Sequence, residues 1–121
     1  MGSKFWIAAG CALACSLTTG EAGAKDQNRI TGFAAYYNLD YQGRTASGAT
    51  YDPNKFTCAH RTLPFGTRLR VTDPKTRRSV MVTVNDRGPF TKGRVLDLSL
   101  AAAKSLRIID RGLAKVTASI Q

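Results

Sequence analysis

The chain has 121 residues, and its 18 Lys and Arg against 8 Asp and Glu give a net charge of +10. This length allows one domain with a modest core. A single His excludes a Cys/His metal cluster, and we expect neither a metal ion nor an organic cofactor. The charge favours an anionic partner, although a basic surface that keeps the protein soluble is the alternative.

Residues 1–24 have the composition of a secretory signal peptide. Lys4 supplies the positive start, residues 5–17 are apolar, and Ala22-Gly23-Ala24 is a small-x-small cleavage site. The apolar run is short for a membrane span, so we expect cleavage after Ala24, export and no stable membrane insertion. A retained anchor helix is the alternative. The predicted domain covers residues 25–121 and is periplasmic or secreted.

Export also decides how the cysteines and the charge are interpreted. Ala12-Leu13-Ala14-Cys15 faintly resembles a lipobox, and an outer-membrane lipoprotein is the less favoured alternative. Because Cys11 and Cys15 lie in the predicted signal peptide, Cys58 remains alone, and we expect it to be buried in a short strand. Anionic cell-wall polymers suit an exported basic protein better than nucleic acid, which we do not expect as a partner.

Short alternating segments predict an all-β fold. We predict strands at residues 30–37, 56–60, 68–72, 79–85, 94–98 and 114–120, and a short helix at residues 100–106 with Ser99 as its N-cap. About six short strands and one short helix indicate a small β-barrel.

A long loop at residues 38–53 holds most of the candidate binding residues. Four tyrosines cluster around it, and exposed tyrosines suit sugar rings because they offer an apolar face beside a hydroxyl. Alternatively, some of them belong to the core, as we expect of at least one of Tyr36 and Tyr37. The predicted ligand-binding residues are Tyr41, Arg44, Tyr51, Asp52 and Arg87.

Residues 80–99 carry the candidate chemistry. A β-branched run breaks at Asn85-Asp86-Arg87-Gly88-Pro89, so a strand delivers a carboxylate to a turn held by Gly and Pro. The next strand carries Asp97, and carboxylates on rigid strand ends suit binding or catalysis. The alternative is that Asp86 merely caps the turn and that Asp97 pairs with Arg94.

This stretch resembles the signature of the rare-lipoprotein-A-like (RlpA-like) family, N-D-R-G-P-F…G-R-x-x-D-L-S. Segments at residues 32–37, 45–52 and 59–67 and the helix residues 101–104 agree in the same order. The resemblance covers roughly residues 30–120. It implies a six-stranded double-psi β-barrel, a topology that the strand pattern alone does not give.

The resemblance implies an exported peptidoglycan lytic transglycosylase. Such enzymes cleave the MurNAc–GlcNAc bond of glycan strands that lack stem peptides and leave a 1,6-anhydro end. The implied catalytic residues are Asp86 and His60, although a lone His is often structural. Related double-psi barrels place an acid at the position of Asp97. The family's second acid, a Glu, falls on Ala49, and Glu21 is the only Glu in the chain.

Two functions therefore remain open. The first is a transglycosylase in which Asp86 acts as acid and base, with activity reduced or lost because of Ala49. The second is a non-catalytic, expansin-like module that binds peptidoglycan. A second acid within about 5–9 Å of Asp86 favours the enzyme. A weaker third option is a secreted basic protein that acts on the wall of a host or rival cell. We expect a monomer.

Overall fold

The structure is a computed structural model that describes residues 28–121. The predicted signal peptide and its cleavage site lie outside the described residues. The elements are β1 (Arg29–Tyr36), β2 (Thr57–Ala59), β3 (Arg68–Thr72), β4 (Ser79–Asp86), β5 (Arg94–Leu98), α1 (Leu100–Leu106) and β6 (Ala114–Ile120). Each predicted strand and the helix are confirmed, with boundaries that differ by at most one residue. Within this range no helix combines the length and apolar character needed to cross a membrane.

The six strands close into a barrel in the order β1-β5-β2-β4-β3-β6. β1 runs parallel to β5 and β2 runs parallel to β4, whereas the other neighbouring pairs are antiparallel. In the described part of the chain, closure pairs each of the six strands on both sides, so the barrel has no open edge for another chain to extend. The predicted six-stranded double-psi β-barrel is confirmed.

Alternation along the strands fills the barrel interior. β4 buries Val80, Val82 and Val84, while the intervening side chains are more exposed. β6 follows the same rule and buries Val116 and Ala118. Removing these side chains from water is the main source of stability, at about 25 cal/mol per Å² of apolar surface.

Ser99 starts α1 and joins it to the barrel. Its backbone is extended, and its side chain is fully buried. The hydroxyl oxygen accepts hydrogen bonds from the N–H of Ala102 in α1 and of Thr57 in β2, both at 3.3 Å. The predicted N-cap therefore satisfies a helix N–H and a barrel N–H at once.

We expect Ser99→Ala to lower the free energy of unfolding by about 1–3 kcal/mol, because two N–H groups lose their buried acceptor. Ser105→Ala is the matched control, since Ser105 is exposed in the same helix. Its effect should stay within about 0.5 kcal/mol. Urea denaturation measures both variants, and equal losses would contradict the double role of Ser99.

Cys58 is fully buried in β2 and is a free thiol, which confirms its predicted burial. Burial, with a smaller effect from the charge of Asp97, raises the pKa of the Cys58 thiol to about 12.

A thiol reagent at neutral pH should therefore label Cys58 slowly in the folded protein, because the reactive thiolate is scarce and inaccessible. Denaturant should make labelling fast and complete. Rapid labelling without denaturant would show that β2 opens readily.

Candidate functional site

Asp86 is the last residue of β4, not a turn residue as predicted, and an irregularity in the sheet precedes it. β2 pairs with β4 at Cys58↔Val84 and then at Ala59↔Asp86, so Asn85 is an extra residue on β4. The strand continues because Asp86 still has a partner in β2. A bulge of this kind re-aims the side chain that follows it and is common beside active sites.

The Asp86 carboxylate accepts three hydrogen bonds from three parts of the chain. Oδ1 accepts from the N–H of Ala46 at 2.7 Å and of Arg87 at 2.8 Å. Oδ2 accepts from the hydroxyl of Tyr37 at 2.5 Å. Asp86 is half-buried, so its orientation is fixed while part of it stays open to solvent.

Tyr37 belongs to a cluster of three tyrosines. Its ring stacks on that of Tyr51 with the centroids 4.3 Å apart and an interplanar angle of 16°. The ring of Tyr41 lies 5.4 Å from each of the other two. Burial and then the hydrogen bond to Asp86 raise the pKa of Tyr37, so its hydroxyl remains a donor.

One tyrosine differs from the prediction. Tyr51 was expected to be an exposed ligand contact but is only 6% exposed, because its ring packs between Tyr37 and the start of α1, where its hydroxyl accepts from Leu100 N–H. Tyr41 is 38% exposed. Tyr36 packs against the core and donates to a backbone carbonyl, which confirms that at least one of the paired tyrosines is structural.

The loop that carries Ala49 packs against the end of β4. Ser47 N–H donates to the carbonyl of Asn85 at 3.2 Å, close to the contact of Ala46 with Asp86. Arg44, a predicted ligand contact, is exposed and uses one nitrogen to donate to the carbonyl of Gly48 at 2.9 Å. The side chain of Ala49 is exposed and adds no acid to this loop.

Arg87 holds the loop that follows β2. Its Nη1 donates to the carbonyl oxygens of Leu63 at 2.8 Å and His60 at 3.2 Å. Its guanidinium also lies 4.1 Å from the ring centroid of Phe65. These contacts favour a role for Arg87 in holding the loop, and its predicted ligand contact stays a prediction.

His60 adjoins Asp86 through the backbone, since its N–H donates to the Asp86 carbonyl at 3.1 Å. Its Nδ1 accepts from the N–H groups of Thr62 and Leu63, both at 3.1 Å. A neutral imidazole with this pattern carries its proton on Nε2, which is then a donor.

Burial, followed by the charges of Arg87 and Arg61, lowers the pKa of His60, so the neutral form is favoured.

Two open clefts are lined by candidate site residues. The tyrosine side has a cleft of ≈380 Å³, lined by Leu39, Asp40, Tyr41, Gln42, Gly43, Thr50, Tyr51 and Pro53. The histidine side has a cleft of ≈260 Å³, lined by His60, Arg61, Thr62 and Val95.

Asp97 lies near Asp86 but is already paired. Ala59 pairs with Asp86 on one side and with Asp97 on the other, so two strand spacings, about 10 Å, separate the two backbones. After burial and the hydrogen bond to Asp86, the charges of both carboxylates also raise the pKa of Tyr37. Arg94 forms an ion pair with Asp97, as the alternative interpretation of the sequence predicted.

Asp52, a predicted ligand contact, stabilises its own turn. Its Oδ1 accepts from Asn54 N–H at 2.9 Å. Among the described residues no hydrogen bond joins Asp52 to Asp86. The same part of the chain holds no group of three or more His, Cys, Asp or Glu residues placed for a metal ion.

The sequence analysis did not identify two donors to Asp86, Tyr37 and Ala46. The sequence did contain a signal for Tyr37: neighbouring residues of an extended segment face opposite sides, so Tyr36 on the core implies that Tyr37 faces away from it. Ala46 donates a backbone N–H, and no residue pattern identifies such a donor.

Comparison with known proteins places the chain in a family. A family model described as lytic transglycolase matches residues 29–118. The probable endolytic peptidoglycan transglycosylase RlpA of a Nostoc species is 52% identical over 88 residues, which cover 70% of this chain and 24% of that protein. The endolytic peptidoglycan transglycosylase RlpA of Haemophilus influenzae is 49% identical over 86 residues, covering 70% and 30%. The chain thus spans about a quarter to a third of these relatives.

Solved structures share the barrel. The Streptomyces papain inhibitor is 26% identical with a TM-score of 0.62, and the match covers 76% of this chain and 93% of the inhibitor. An apo expansin of Clavibacter michiganensis is also 26% identical, with a TM-score of 0.60 over 77% of this chain and 50% of the expansin. Together, the matched family model, the closed barrel and the named relatives show that this chain belongs to the RlpA-like family of double-psi β-barrel proteins.

Proposed function

We propose that this chain binds glycan strands of peptidoglycan at Asp86 and cleaves them as a slow lytic transglycosylase. The observation that carries the proposal is the Asp86 carboxylate, which is half-buried and fixed by three donors. Similarity to relatives named endolytic peptidoglycan transglycosylase supports the reaction class. The proposal includes export directed by residues 1–24 and action as a monomer.

The reaction needs two proton transfers. An acid protonates the bridging oxygen while the bond from C1 to that oxygen breaks, so the leaving sugar departs with a hydroxyl. A base then takes the proton of the C6 hydroxyl as its oxygen bonds to C1, which closes the 1,6-anhydro ring. No water is consumed, and one carboxyl group that gives a proton and then recovers one is restored at the end.

The contacts of Asp86 favour the second of these steps. All three of its hydrogen bonds are donated to it, which is the pattern of a carboxylate that accepts a proton or stabilises positive charge at C1. The first step needs a group that carries a proton. Asp97 is paired with Arg94, and position 49 holds Ala. We therefore expect slow cleavage because the acid is missing.

His60 offers a different contribution. Its Nδ1 is occupied by two backbone N–H groups, so only Nε2–H is available to a ligand in the cleft beside it. A neutral imidazole that donates from Nε2 binds a sugar oxygen rather than serving as a base. We propose that His60 binds and orients the glycan.

The alternative is a glycan-binding module without catalysis, which the exposed Ala49 supports. In this form the clefts would hold the strand and no bond would break. The fold shared with an expansin is consistent with both functions. Binding should weaken with added salt if Arg44 and the other basic residues contribute, because exposed charges are screened.

Restoring an acid at position 49 separates the two functions. With stem-peptide-free glycan strands, Ala49→Glu should release anhydro-ended products about a hundredfold faster than the wild type, within the range of general acid catalysis. Ala49→Gln has the same shape without the acid and should leave the rate unchanged. Asp86→Asn in the Ala49→Glu background should abolish cleavage. Mass spectrometry of the products measures each rate.

Two results would count against this account. A wild type that is fully active and unaffected by Ala49→Glu would point to Asp97 or Asp52 as the acid. Glycan binding with no cleavage by either protein would favour the binding module.

The lowered pKa of His60 predicts a pH-dependent stability. An unfolded His takes up a proton near pH 6.5, and folded His60 does so only at lower pH. Its contribution to stability is therefore complete above about pH 6.5 and is lost as the pH falls through the folded pKa. Urea denaturation measures the free energy of unfolding, which should fall less between pH 7.5 and 5 in His60→Asn than in the wild type. Asn keeps an acceptor but does not titrate. An equal fall in both proteins would rule out His60 as the source of the pH dependence.

A further inference from the structure

We propose that Tyr37 is the positioning residue of this site and that its hydroxyl aims the Asp86 carboxylate at the glycan. The proposal rests on the proposed function, because an action of Asp86 on the glycan is what gives its orientation a consequence. It adds a residue to the site that the strand pattern had left undecided between core and surface.

The distribution of donors on Asp86 carries the argument. Oδ1 accepts two backbone N–H groups, whereas Oδ2 accepts only the Tyr37 hydroxyl among the described residues. A carboxylate oxygen has two acceptor positions. Oδ1 is therefore filled, while Oδ2 keeps one position for a proton of the glycan. Tyr37 decides where that free position points.

Tyr37 can fix this direction because its own ring is held. It stacks on the buried ring of Tyr51, and Tyr51 is tied to the start of α1 by the N–H of Leu100 at 3.1 Å. Tyr41 packs against both rings and closes the cluster on its exposed side. The barrel thus connects to the carboxylate through α1, Tyr51 and Tyr37, in addition to β4 itself.

The surroundings of the Tyr37 hydroxyl keep it a donor. Burial and the hydrogen bond to Asp86 raise the pKa of Tyr37, and the charges of Asp86, Asp97 and Tyr41 act in the same direction. Arg87 lies next to Asp86 but commits its guanidinium to Phe65 and to carbonyls of the loop after β2. Within residues 28–121, the hydrogen bond between His60 and Asp86 runs from the His60 backbone N–H to the Asp86 carbonyl. Tyr37 is thus the one side-chain donor to this carboxylate in residues 28–121.

Tyr37→Phe tests the proposal, because it removes one hydroxyl and keeps the stacked ring. Tyr36→Phe is the matched control, since the neighbouring tyrosine also loses one hydrogen bond, to the carbonyl of Ile109. Carbon-13 NMR of the carboxyl groups in the purified protein follows the Asp86 signal, identified by its loss in Asp86→Asn. The signal should move in Tyr37→Phe, because Oδ2 loses its donor, and should stay in place in Tyr36→Phe.

Glycan cleavage is measured beside the NMR signal. In the Ala49→Glu background, Tyr37→Phe should lower kcat about tenfold or more with little change in KM, whereas Tyr36→Phe should leave both unchanged. An unmoved Asp86 signal with unchanged kcat would overturn the role of Tyr37 and leave the lytic function standing. A moved signal with no cleavage by any variant would keep the contact of Tyr37 with Asp86 and remove the lytic function.

A measurement that leaves Tyr37 in place covers the case in which Tyr37→Phe does not fold. The ring resonances of Tyr37 should shift in Asp86→Asn, because the two groups share a hydrogen bond. The ring of Tyr36, whose hydroxyl donates to Ile109, should keep its resonances. Tyr37 resonances that are unchanged in Asp86→Asn would overturn the proposal.

Discussion

The site depends on one half-buried group, the carboxylate of Asp86, which accepts hydrogen bonds from three places in the chain. Tyr37 directly follows β1, Ala46 lies in the loop after it, and Arg87 directly follows Asp86 at the end of β4. A charged group half removed from water needs such partners, and their loss costs more than their net contribution. The Asp86 carboxylate therefore links these parts of the chain to one another.

The barrel supplies the geometry that this convergence needs. β2 runs parallel to β4, and the extra residue Asn85 moves Asp86 into register with Ala59. Antiparallel pairing with β5 then sets Asp97 on the far side of Ala59. A closed sheet of short strands can bring two acids and a tyrosine to one face without flexible loops, which suits a site that must be preorganised.

Sequence patterns predicted the elements more fully than the site. The strands were predicted from alternating apolar and polar residues, and α1 from Ser99 as its N-cap. Both signals are local, because an element buried on one face has a periodic pattern of apolar residues. The double-psi order of strands came only from family resemblance, since local patterns do not record which strands become neighbours. The burial of Tyr51 was not predicted for the same reason: it depends on α1 and Tyr37, which lie far from it along the chain.

Asp97 shows the limit of interpreting charged residues from sequence. Its position in the motif suggested catalysis and its spacing from Arg94 suggested an ion pair, and the structure contains the pair. A fixed ion pair three residues apart can be anticipated from spacing, but its distance from Asp86 depends on the register of β5 against β2. Chemistry that arises between strands needs the fold before it can be assigned.

The central claim is that glycan strands bind where the donors to Asp86 converge. Amide NMR of the protein during titration with stem-peptide-free glycan strands tests it most directly. The account predicts that the Ala46, Arg87 and His60 amides shift first and furthest, while those of Lys75 and Arg77 in the β3–β4 hairpin stay in place. Shifts concentrated in that hairpin, with the Ala46 and Arg87 amides unmoved, would contradict it.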